Sequence, residues 1–305
     1  MTMFRFLIAK QPEGYALVIG GNRYPTLPWA FSSIEKFSFV SHAVSAGQSM
    51  AVTRGNLGAL GTKTHAIAIG GINDVSSLQT TEKYNFAANT VTYGPNLSTA
   101  NWGHVGAGNS TIGILNGAYG TVSSVIRYTY SSDTMSTSGT GTTYSCRSGA
   151  GAGNETVAIF AGGYYDPLGS PYLNTAKTYT YASDVVSNAS SLTELKAQPG
   201  GAGTSTDAYF FGGSLPSSTY SNKREKYSLS TYTNSAANSL ANARGYTSSA
   251  GDVTKIVTSG GESSSPYNSA YTDVYIIASD TSSASSLLST GKRYTAGVST
   301  TPGHM

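Results

Sequence analysis

The sequence has one cysteine, Cys146, which excludes an intrachain disulfide and any site built on several thiolates. Ser145, Arg147 and Ser148 around it form no redox motif, so its expected place is as a small residue packed in a strand. Charge is also scarce, at 11% of residues and a net +3, and no basic run interleaves with aromatics, which argues against nucleic acid as a partner. No apolar run approaches the length that spans a membrane, so no membrane insertion is expected. The four histidines, His42, His65, His104 and His304, have no ligand spacing, and no Asp-rich calcium loop occurs. No metal, cofactor or catalytic residue is assigned. The apolar part of Met1 to Lys10 is short and lacks a small-residue cleavage site, so no signal peptide is expected.

Gly, Ser, Thr, Ala and Tyr are abundant instead. Low charge with many polar residues suits disorder, but an 11% aromatic content with 22 tyrosines does not. A packed β protein with polar turns fits better.

Self-similarity sets the fold class. An apolar run ending in paired glycines appears as Ala16 to Gly21 and His65 to Gly71, degenerates in Ile112 to Gly117, and returns at Val157 to Gly163, Ala208 to Gly213 and Ile256 to Gly261. Its period is about 48 residues, the range of propeller repeats. An aromatic–polar alternation keeps the same period, in Glu35 to Phe39, Glu82 to Phe86, Arg127 to Tyr130, Thr178 to Tyr181, Glu225 to Leu229 and Asp273 to Ile277. Small-residue segments such as Gly103 to Asn109, Ser148 to Asn154 and Gly245 to Gly251 precede the apolar runs.

Each repeat therefore reads as four strands: small-residue a, apolar b, aromatic c and polar d. Gly and Ala on the innermost strand let backbones crowd the axis. An apolar b strand packs on both faces. The expectation is an all-β, six-bladed propeller of four antiparallel strands per blade, over residues 14–301, with an N-terminal arm (1–13) and a C-terminal tail (302–305).

These runs, paired glycines and aromatic strands resemble kelch repeats across nearly the whole chain, though the Trp usual on strand d is absent. The low charge and Ser/Thr/Gly-rich repeats are similar to propellers among structural proteins of tailed bacteriophages. That resemblance implies a non-enzymatic virion component of a tail, fibre or neck, assembled in the host cytoplasm in several copies. It would bind a host-surface glycan or protein or a neighbouring virion protein. A cellular kelch-like interaction adaptor is the alternative, and a propeller-scaffold oxidase a further one.

Arg293 to Ser299 has the character of the segment from Arg244 to Ala250, so the C-terminal strand is expected to supply strand a of blade 1. The alternative is that Phe4 to Ala9 fills that place. If it does not, Phe4, Phe6, Leu7 and Ile8 form a spare strand, either pairing with a partner's sheet edge or packing locally.

Strand a starts, and strand b ends, on one face. Arg54, Arg147, Arg244 and Arg293 lie near the starts of a strands and either ring a channel mouth or bond neighbouring backbone. The b–c connections on that face contain Tyr24, Trp29, Tyr164, Tyr165, Tyr172, Tyr220 and Tyr267, residues that give contact area at small entropic cost. They form the expected binding surface, or else fold back over the blades. Glu35, Glu82, Glu225 and Asp273 recur at one position of strand c, which argues for a structural role beside Lys36, Lys83 or nearby backbone.

Overall fold

The computed structural model describes residues 14–23, 29–120, 125–138, 146–165, 171–264 and 267–299. Among them are 24 strands in six sheets of four, and no helix. Blade 1 runs outward as β24 (Ala296–Ser299), β1 (Tyr15–Ile19), β2 (Ile34–Ser38) and β3 (Val44–Ala46). Blade 2 is β4 (Gly58–Gly61), β5 (His65–Ile69), β6 (Thr81–Asn85) and β7 (Thr90–Tyr93), and blade 3 is β8 (Val105–Gly108), β9 (Ile112–Asn116), β10 (Ile126–Thr129) and β11 (Thr134–Thr137). Blade 4 is β12 (Ala150–Gly153), β13 (Val157–Ala161), β14 (Ala176–Thr180) and β15 (Val185–Ala189). Blade 5 is β16 (Gly200–Gly203), β17 (Asp207–Phe211), β18 (Arg224–Ser228) and β19 (Asn234–Ala237), and blade 6 is β20 (Ser248–Gly251), β21 (Lys255–Ser259), β22 (Thr272–Ile276) and β23 (Thr281–Ala284).

The six innermost strands neighbour one another in a closed circle, so the fold is a six-bladed β-propeller. The ring closes through the C-terminal strand, as the sequence led us to expect: β24 pairs antiparallel with β1, Ala16 opposite Ser299 and Ile19 opposite Ala296. Phe4, Phe6, Leu7 and Ile8 lie outside the described residues.

Burial follows strand order. The b strands are almost wholly buried, as in β13 and β17, while the d strands are mostly exposed. Apolar side chains of adjacent blades meet in shared clusters, such as Ile159 and Phe210 with Tyr227. At the axis the second residue of the a strand is Gly in four blades. A Cβ on Gly106 would stand 2.0 Å from the Ala59 carbonyl oxygen, so only hydrogen fits there.

Buried ion pairs tie strand c to the linker that enters the same blade. Four residues before strand a stand Lys292, Arg54, Lys196 and Arg244, and they meet Glu35 (2.5 Å), Glu82 (2.6 Å), Glu225 (2.6 Å) and Asp273 (2.5 Å). The carboxylates also hold the linker itself: Glu82 accepts the Ala51 N–H at 2.5 Å, Glu225 that of Thr193 at 2.7 Å and Glu35 that of Ser289 at 2.8 Å. In blades 3 and 4 the cation position holds Asn101 and Cys146, and the acid position Ile126 and Lys177. Both partners are replaced together, as a buried charge requires.

This corrects the sequence reading in two places and decides between its alternatives in a third. The acids pair with distant linker cations rather than with Lys36 or Lys83; Lys83 bonds Asp133 at 2.5 Å instead. Of the two readings of the arginines, Arg54 and Arg244 follow the second: both have no exposed surface, Arg54 donates to the Gly70 and Thr80 carbonyls and Arg244 to that of Thr258. Cys146 is buried in a linker, not in a strand.

Candidate binding face

The turn after each b strand and the residues before each a strand build one face. The paired glycines take positive φ, 60° and 104° at Gly20 and Gly21, which turns the chain sharply upward without a Cβ penalty. The residue after the pair then bridges the residue three before strand a: Asn22 with Arg293, Ile72 with Gly55, Tyr164 with Arg147, Ser214 with Ala197 and Glu262 with Gly245. In blade 3 the Tyr119 N–H donates to the Trp102 carbonyl at 2.9 Å.

One residue closer to the axis lie Tyr294, Asn56, Gly103, Ser148, Gln198 and Tyr246, all in the left-handed region with φ from 51° to 78°. Each N–H donates to the carbonyl of its equivalent in the preceding blade. Asn56 donates to Tyr294 (2.9 Å), Gly103 to Asn56 (2.8 Å), Ser148 to Gly103 (2.9 Å) and Gln198 to Ser148 (2.6 Å). Tyr246 donates to Gln198 (2.8 Å) and Tyr294 to Tyr246 (3.1 Å), which completes the circle. This six-membered belt of peptide groups spends the left-handed strain of five non-Gly residues to fix the rim of the axis.

Two aromatic groups stand on this rim. Across blades 3 and 4, Trp102 stacks on Tyr119 (centroids 4.6 Å, 16°), and the Arg147 guanidinium lies 5.0, 5.5 and 4.8 Å from the rings of Trp102, Tyr119 and Tyr164. Tyr164 packs edge-on against Tyr172 at 4.8 Å. Burial raises the Tyr164 hydroxyl above the usual phenol range, and Tyr246 and Tyr172 raise it further. Across blades 5, 6 and 1, Tyr220 donates to Glu262 at 2.6 Å, and Glu262 is ion-paired to Arg293. Arg293 also lies 5.6 and 5.2 Å from the rings of Tyr246 and Tyr294, which meet at 4.4 Å. Burial lifts Tyr220 and Tyr294 as well. The hydroxyls of Tyr164, Tyr220 and Tyr294 thus stay protonated at neutral pH, with the O–H of Tyr220 already given to Glu262, and the arrangement offers flat apolar faces and two oriented guanidinium groups.

Of the residues expected from sequence, Tyr164, Tyr172, Tyr220, Arg147 and Arg293 come together here. Trp29 and Tyr165 are half-buried on their b–c connections, where the Trp29 carbonyl accepts from Arg23 and the Tyr165 N–H donates to Pro171. Tyr267 is 64% exposed and near enough to act electrostatically on Tyr220. Tyr24 lies outside the described residues. Trp102, Tyr119, Tyr246, Glu262 and Tyr294 were missed. Their signal was the register of the residues before strand a, which places Tyr294 beside Tyr246 and Arg293 beside Gly245.

Among the described residues no group of three His, Cys, Asp or Glu side chains converges as a metal-binding cluster. No protein-family model and no curated protein matches the chain.

Proposed function

We propose that the chain is a non-enzymatic recognition module: a kelch-like propeller of a tailed-phage virion, in the tail, fibre or neck, present in several copies. Its belt-supported face binds a host-surface glycan or protein, or a neighbouring virion protein. The observation that carries the reading is the concentration of Trp102, Tyr119, Arg147 and Tyr164 with Tyr220, Glu262, Arg293 and Tyr246 on one rim. Tyr, Trp and Arg dominate interface hot spots, and here their entropy is already reduced by mutual packing. The virion assignment is supported by the Ser/Thr/Gly-rich, weakly charged repeats. The described ends of the ring, at β1 and β24, adjoin on the other face, which suits attachment there and recognition at the rim.

The test is binding of the intact protein to bacterial envelopes and to isolated virion proteins, with Trp102→Ala and Tyr164→Ala compared against Val253→Ser, an exposed position on an a–b turn. Each rim variant should weaken binding at least tenfold while the control does not; equal binding by all three removes the proposal. Mass spectrometry of purified particles checks the virion assignment, and stoichiometric copper in the purified protein would overturn the non-enzymatic reading.

A further inference from the structure

On the face opposite the rim, and independent of the function proposed there, a cleft of about 580 Å³ lies between blades 2 and 3. The a–b turns of both blades and the c–d turn of blade 3 enclose it. Its volume falls within the roughly 300–1,000 Å³ of small-ligand sites. The buried side chains of Ile67 and Tyr128 form its floor. Tyr130 is half-buried beside Tyr128, with ring centroids 5.6 Å apart. A Cβ on Gly108 or Gly113 would meet the Tyr130 hydroxyl at 2.7 Å, so that oxygen is turned inward and the side chain shows ring carbon to solvent. An ion pair spans the blade boundary along this cleft. Lys83 Nζ of β6 is 2.5 Å from Asp133 Oδ2 in the c–d turn of blade 3, and the Tyr128 hydroxyl donates to Oδ1. The two side chains keep 21% and 42% of their surface exposed, so a guest can reach both. Asn85 Oδ1 accepts the Ala87 and Ala88 N–H groups, which leaves its amide nitrogen to donate to His65 Nε2 at 3.2 Å. His65 Nδ1 then donates to Thr64 Oγ1 at 2.8 Å. Burial and the Lys83 ammonium lower the pKa of this imidazole, so it is neutral at pH 7.

We propose that this cleft binds a neutral sugar ring, with neighbouring hydroxyls bridging Lys83 and Asp133 and a C–H face of the ring lying on Tyr130. The ion pair sets a donor and an acceptor side by side, because the ammonium has hydrogens to spare and each carboxylate oxygen a further lone pair. One hydroxyl of a vicinal diol donates to Asp133 as the next accepts from Lys83, and both bonds are charge-assisted. Charge points the same way. Lys83 and Asp133 neutralise each other and His65 is uncharged, while Lys63 is exposed to solvent. The hydroxyls of Thr64, Ser110, Thr111 and Ser131 line the walls, and each can donate or accept. A free sugar and the end of a glycan chain share this chemistry.

The experiment titrates the full chain with methyl glycosides of glucose, galactose, mannose and N-acetylglucosamine, and with neutral oligosaccharides ending in the same sugars. Saturation-transfer NMR and calorimetry read the binding. The expected result is saturable binding of at least one glycoside, weakened about tenfold or more in Asp133→Asn, which removes a charge-assisted bond. Ser131→Trp, which fills the cleft from an exposed turn, should abolish it, and this variant decides the matter if the aspartate variant fails to fold. Equal affinity for glycoside and oligosaccharide identifies a free sugar as the source; tighter binding of the oligosaccharide identifies a glycan end. Trp102→Ala on the rim should leave binding unchanged, so this proposal and the rim reading fail separately. No saturable binding of any of these sugars, or binding lost in Trp102→Ala but kept in Asp133→Asn and Ser131→Trp, would overturn the proposal.

Discussion

The carboxylate of Glu82 shows how much one buried side chain can hold. It neutralises Arg54 and accepts from Ala51 and Val52, so it fixes the linker between blades 1 and 2 as well as the charge. Burial lowers the Arg54 pKa, and Glu82 opposes that shift. Glu82→Ala should therefore cost about 3–5 kcal/mol, because it strands a guanidinium. Replacing both partners, as Arg54→Met with Glu82→Leu, should restore much of that loss; urea unfolding of the two single variants and the double variant measures it. His104 sets a pH dependence. Its folded value is depressed, so its contribution is complete above pH 6.5 and falls as pH drops toward about 4. Over that interval the loss is roughly 3 kcal/mol, at 1.36 per unit. His104→Leu should flatten this part of the stability–pH curve, and denaturant midpoints at pH 7 and 4.5 for both proteins test it. The arginines mark the limit of sequence reading at this scale. Arg54 and Arg244 stand four residues before their strands, and Arg147 and Arg293 three. That single step separates a buried clamp from the rim, and nothing in the residue type reveals it.

Elements with a strong two-sided pattern were the most legible. Paired glycines and aromatic alternation located the b and c strands because burial there dictates residue type at each position. The d strands are short, exposed and Ser/Thr-rich, so solvent imposes little pattern on them and only their polarity could be read. The belt left no signal in residue type. Five of its six left-handed positions hold Asn, Ser, Gln or Tyr in place of the expected Gly, since the hydrogen bonds around the ring offset the strain. The a strands were legible from their small residues, and their geometry gives a sharp expectation. Gly106→Ala pushes a methyl group into the Ala59 carbonyl of the neighbouring blade, a backbone atom that cannot rotate away. Overpacking of this kind costs about 1–3 kcal/mol. Thermal melts should show Gly106→Ala clearly destabilised; an unchanged midpoint would mean that the axis is looser than the inner strands describe.

At the scale of the whole molecule, everything depends on the last strand. β24 forms the inner edge of blade 1, between β20 and β4, and the segment leading into it carries Lys292 and Tyr294. The closure was legible because Arg293 to Ser299 has the character of a sixth a-type segment, although the true alignment is one residue over, with Tyr294 matching Tyr246 and Thr295 matching Thr247. A chain ending at Gly291 loses four things together: the β1 ladder, two faces of inner-strand packing, the counter-charge of Glu35 and one link of the belt. Blade 1 is then a three-stranded sheet with its apolar inner edge open, and blades 6 and 2 lose their common neighbour. Because each blade buries its faces only against the next, the ring should fail as a unit rather than fray at one sector. The truncated chain is expected to lose its cooperative unfolding transition, whereas a chain beginning at Gly14 keeps all 24 described strands and with them a cooperative melt. Calorimetry on the two truncations separates these outcomes, and a chain ending at Gly291 that still melted cooperatively near the full-length midpoint would show that blade 1 does not need its C-terminal strand.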